Sequence, residues 1–126
     1  ENVKKYADCF KKLVPIIQQA SVDYLNNPAT ANAVILDAVA KFGEAFGWTY
    51  DQGNADYGVA TMKKDGLVSD GGDGILGNMD CARVQTLIDE FNPLAKAVGN
   101  EGVKDGLKCE DIVDNQFIDN TVSFGS

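Results

Sequence analysis

A chain of 126 residues with 11 basic and 19 acidic side chains, a formal net charge of −8 and no basic run is bounded to one domain. It is set against a phosphate backbone, so nucleic acid is not expected as a partner. The complete absence of histidine removes the usual general base, proton shuttle and commonest transition-metal ligand, and with them Ser/His/Asp and Cys/His nucleophilic arrangements within this chain. No stretch approaches the roughly 20 apolar residues that a membrane span requires.

Apolar residues recur at helical spacing from the start. Val3, Tyr6, Phe10, Leu13, Val14, Ile17, Ser21 and Tyr24 lay one stripe along a helix of about six turns. Pro15 is expected to kink or break it near Leu13, because proline removes one backbone hydrogen bond and pushes on the preceding turn. The opening residues ENVKKYADCF already read as helix without an initiator Met, which sets the expectation of a processed product or a piece of a longer protein.

Asn27 suits an N-cap and Pro28 a first helical position. Ala31, Val34, Ile35, Ala38, Val39 and Phe42 then form a seam that Gly43 is expected to end. A third helix is predicted from about Asn54 to Asp65, with Tyr57 and Met62 inward and Gly66 as the stop. Asp80 is predicted to cap a fourth, whose Cys81, Val84, Leu87, Ile88, Phe91 and Val98 share a face, with a late kink at Pro93 and an end at Gly99. A short last helix is expected within KCEDIVDNQFID, where Glu110 and Asp111 favour the positive helix end, and no periodic signal follows Asn120. No alternating strand pattern emerges, so the fold class is all-α, about five helices in a single domain.

Between the third and fourth helices lies SDGGDGILGNMD, Ser69 to Asp80. A twelve-residue calcium loop needs oxygen ligands at positions one, three and five and a glutamate at twelve. Counting from Asp70, the third and fifth positions are Gly72 and Gly74, which carry no ligand. The loop therefore reads as structural, with Gly71, Gly72, Gly74 and Gly77 supplying backbone angles other residues resist. Asp70, Asp73, Asn78 and Asp80 remain a loose oxygen cluster, and adventitious calcium is the runner-up; no metal site is assigned.

Several blocks resemble the C-terminal part of periplasmic solute-binding proteins of ABC importers, in the branch for nitrate, sulfonates including taurine, and thiamine pyrimidine precursors. They are CFKKLVPIIQQASVDYL, NPATANAVILDAVAKFG, DGLVSDGGDGILGNMDCARVQTLID and CEDIVDNQFID, in that order from about Cys9 to Asp119. The resemblance implies the helical section of a two-lobed type 2 binding protein, the α/β lobes lying outside this chain. It implies capture of a small-molecule ligand, delivery to an ABC importer permease, a periplasmic or extracellular location, and no bond chemistry. A eukaryotic branch that makes the thiamine pyrimidine uses iron and a histidine, which this chain lacks, so no catalytic residue and no cofactor are expected. An orphaned apolar face would favour self-association. The alternative is a stand-alone acidic helical interaction module.

Three cysteines allow one internal bridge and leave one thiol over. Cys81, on the apolar face of its helix, reads as a small buried hydrophobe. Cys9 and Cys109 are the better disulfide candidates, with free thiols or a partner outside the chain as the other possibilities. In FGEAFGWTYD, Phe46, Trp48 and Tyr50 occupy a glycine-punctuated connection. They can plug the core under a loop, or Trp48 and Tyr50 can form the wall of a ligand cleft; these two are the only ligand-binding candidates. Tyr24 is expected in the core, and Gln18 and Gln19 are assigned no chemistry.

Overall fold

The computed structural model describes residues 2–125, with the side chains of residues 44–46 outside the description. All regular structure among the described residues is helical: α1 (Asn2–Lys5), α2 (Ala7–Asn26), α3 (Ala29–Phe46), α4 (Gln52–Lys64), α5 (Cys81–Ala97) and α6 (Cys109–Ile112). None of these helices is long and apolar enough to cross a membrane.

The first helix does not break at Pro15. Helix α2 runs through it, and the interruption falls at Tyr6, whose φ of −110° and ψ of 19° separate α1 from α2. Both sides of the proline are anchored, which lets the helix absorb one missing hydrogen bond. Upstream, the Phe10 ring meets Phe117 with centroids 5.4 Å apart; downstream, Gln18, Val22 and Leu25 are buried.

Helix α3 also ends later than Gly43. Its N-terminal carbonyl is that of Pro28, which accepts the Asn32 N–H at 2.9 Å, so Pro28 stands one position earlier than predicted. At the other end Gly47 takes φ 69° and the Trp48 N–H donates to the Gly43 carbonyl at 2.9 Å. This is the six-to-one hydrogen bond of a Schellman stop. Gly43 has a different duty: a Cβ there would lie 2.9 Å from the Trp48 carbonyl oxygen and 3.0 Å from Val39. Its missing side chain lets the connection fold back onto the helix.

Helix α4 starts two residues before the expected Asn54 because Asp51 caps it, accepting the Asn54 N–H at 2.8 Å. It packs beside α3, burying Ala55 and Val59, while Tyr57 is 74% exposed. The inward position expected for Tyr57 is thus taken by small side chains, which allow closer approach. Asp80 caps α5 as predicted, accepting from Ala82 N–H at 2.9 Å, and α5 continues past Pro93 to Ala97. Helix α6 is only four residues long.

Helices α5 and α6 are stapled by a disulfide between Cys81 and Cys109, Cα atoms 5.4 Å apart, and Cys9 is free and exposed. This corrects both the expected Cys9–Cys109 pairing and the expected apolar role of Cys81. Gln85, one turn along α5, accepts the Cys109 N–H at 3.0 Å and fixes the α6 start beneath the bridge.

Much of the apolar surface stays open. Leu87, Phe91 and Leu94 of α5 and Val98 at its C-cap follow one another at spacings of four, three and four, the rhythm of a helix-pairing seam. All four are more than half exposed, as are Ile16 and Ile17 on α2 and Val34 and Phe42 on α3. The accessible surface is 9396 Å² for a mass of 13.5 kDa, whereas a compact monomer of that mass exposes about 6500 Å².

Candidate functional site

Two concave regions are formed, one beside the α3–α4 connection and one over the glycine loop. The apolar groove, of about 490 Å³, is lined by Ile35, Ala38 and Val39 of α3 and by Gly47, Trp48, Thr49 and Tyr50. It exists because the Schellman stop and the bare Gly43 turn the chain back along α3, setting two aromatic rings over a branched aliphatic floor. Trp48 is 64% exposed, so it is no core plug. Tyr50 is half-buried. The structure therefore brings both predicted ligand-binding residues to one groove; Phe46 falls, as a side chain, outside the described residues.

Tyr24, predicted in the core, is half-buried instead. Its hydroxyl donates to the side-chain oxygen of the buried Asn32 at 3.0 Å, tying the end of α2 to the start of α3. Burial, and then the nearby Tyr50 phenol, push the Tyr24 phenol above its ordinary range. The groove thus adjoins a phenol that stays protonated at neutral pH.

The second cleft, about 840 Å³ and of mixed polar and apolar lining, lies over the glycine loop and the start of α5. Gly71, Gly72, Asp73, Asn78, Asp80 and Arg83 are among its lining residues. Gly71, Gly74 and Gly77 have φ between 69° and 84°, the left-handed region expected of them, whereas Gly72 does not. The loop carboxylates are engaged by the chain itself. Asp73 accepts from the Asn78 side chain and from the Ile75 N–H, and Asp80 is spent on the helix cap. The buried Asp70 accepts the Phe124 N–H with both oxygens, at 2.8 and 3.0 Å. Among the described residues no group of three or more Cys, Asp or Glu is placed to hold a metal ion.

Sequence reasoning missed what holds this loop. Gln18, buried on α2, donates to the Leu76 carbonyl at 2.7 Å and the Asp119 carbonyl at 3.2 Å, and its oxygen accepts the Asp119 N–H at 2.8 Å. Asn115 exchanges two hydrogen bonds with the Met79 backbone, at 3.2 and 3.0 Å. Through Gln18, Asn115 and Asp70 the tail is strapped across the glycine loop. In the sequence Gln18 is only a polar residue beside an apolar stripe.

Acid is expected to loosen the local turns at Asp73 in the glycine loop and at Asp119 in the tail. Asn78, and then the Ile75 N–H, hold the Asp73 carboxyl below its ordinary 3.8, and the Thr121 hydroxyl and N–H do the same for Asp119. Folded-state values depressed below the unfolded ones contribute stability that is present above the unfolded pKa and lost as pH falls through the folded ones. The urea midpoint should fall as the pH drops below the ordinary carboxylate range, and the D73N/D119N double variant should show a smaller fall. An equal fall in both proteins would refute the assignment.

No protein-family model, curated protein or solved structure matches the chain.

Proposed function

We propose that this chain is the helical C-terminal section of a two-lobed solute-binding protein that captures a small molecule and presents it to an ABC importer permease outside the cytoplasm. The uncovered apolar surface carries the reading. The chain exposes roughly 2900 Å² more than a compact monomer of its mass, and many large apolar side chains are among what it exposes. Ile16 and Ile17 of α2, Val34 and Phe42 of α3 and Leu87, Phe91 and Leu94 of α5 are among those side chains.

The Cys81–Cys109 bridge supports an oxidising compartment such as the periplasm. The aromatic groove supports a small-molecule role, since about 490 Å³ is within the ordinary size range of ligand sites. Capture by lobe closure makes and breaks no bond, so the reading requires neither a catalytic residue nor a cofactor. Nitrate, a sulfonate or a pyrimidine-like molecule is the ligand class that the sequence resemblance adds.

The coding sequence upstream of Glu1 tests this directly. Two α/β lobes behind an export signal are expected; a reading frame without them rejects the proposal. A second reading, a stand-alone acidic interaction module, is favoured by one observation: the strap closes within the chain, joining residues 101 and 54 positions apart. It predicts the same strap with no upstream lobes.

A further inference from the structure

We infer that the groove beside Trp48 accepts a flat aromatic molecule that is uncharged or cationic and excludes an anion. This deepens the ligand-capture reading and rests on it, but concerns this chain's own residues. The floor, Ile35, Ala38 and Val39, is aliphatic, and the wall is Trp48, Thr49 and Tyr50. None of these side chains carries a charge, and the chain as a whole stands at −8.

An anion entering there would shed part of its water and meet no cationic side chain among the described lining residues to offset that loss. It would also face the negative π-surfaces of an indole and a phenol, which attract cations and repel anions. A flat apolar ring gains on both counts: it covers the aliphatic floor and can stack on the exposed indole. The Thr49 and Tyr50 hydroxyls can each donate or accept one hydrogen bond to a polar substituent. Nitrate and small sulfonates, two of the three ligand types the resemblance suggests, would therefore have to be held elsewhere.

Trp48 is the single tryptophan of the chain, so its emission reports on this groove alone. The experiment titrates the protein with benzamide, benzylamine and benzoate at neutral pH, one ring with neutral, positive and negative substituents. Free N-acetyltryptophanamide corrects for collisional quenching. Saturable change with benzamide and benzylamine is expected, each at least tenfold tighter than benzoate. Tyr50→Ala should weaken both at least fivefold. Gly43→Ala, which sets a methyl 2.9 Å from the Trp48 carbonyl oxygen, should weaken both and shift the emission of the free protein with helicity retained. Benzoate binding as tightly as the other two overturns the inference, and so does the absence of saturable change with all three. Either failure leaves the upstream lobes and the capture reading to their own test.

Discussion

Replacing Cys81 and Cys109 together by alanine is expected to lower the free energy of unfolding by about 3.6 kcal/mol, the chain-entropy value for a loop of 28 residues. Against a total stability of about 5–15 kcal/mol for an ordinary domain, that is a large share. The bridge is also the main fastening between α5 and α6: beyond it, Gln85 accepts the Cys109 N–H at 3.0 Å and donates weakly to the Leu107 carbonyl at 3.4 Å. Urea melts of the two proteins measure the loss. Thiol titration checks the pairing, with one reactive thiol, Cys9, in the untreated protein and three after denaturation and reduction. Three thiols before reduction would refute the bridge, and unchanged urea midpoints would refute its weight.

The second large effect is expected at Gln18. Its side chain is buried and satisfies three backbone groups contributed by two segments far along the chain. Gln18→Leu fills the space but leaves those groups without partners, at about 1–3 kcal/mol for each that stays dry. Because the Asp119 groups are part-buried and can recover water, a loss of about 2–4 kcal/mol is expected. Gln18→Glu is expected to be worse at neutral pH, since a carboxylate would then face the Leu76 and Asp119 carbonyl oxygens. Amide exchange reads the site specifically: the Asp119 and Phe124 N–H groups should exchange faster in both variants. Unchanged protection at Asp119 would show that the strap is held by something else.

The contrast between Gln18 and Asp80 shows what the sequence could reveal. Asp80 caps a helix whose first residues are its own neighbours, so the cap, the helix and its end at Gly99 were all legible locally. Gln18 acts on residues 58 and 101 positions away, and nothing near it marks such partners. Cysteine pairing was hidden for the same reason: connectivity depends on which helices meet, and no spacing rule supplies that. The all-helical class was legible because apolar periodicity needs no knowledge of packing.

Where packing decides the outcome, propensity misleads. Of the kink or break that Pro15 suggests, the break does not occur: anchoring on both sides carries the helix through it. Gly43 was read as a stop, yet the left-handed turn belongs to Gly47, and Gly43 serves the close approach that shapes the aromatic groove. Trp48 and Tyr50 were legible as candidates because aromatics in a glycine-rich connection have few roles. Whether Trp48 plugs the core depends on its exposure, a property of the fold.

Small-angle scattering on this chain alone tests most directly whether its apolar faces are built to lie against a larger body. A closed globule of 126 residues has a radius of gyration of about 14 Å. The account predicts a radius clearly above that, with strong binding of an apolar dye. A particle of about 14 Å at every concentration, with no dye bound, would contradict it.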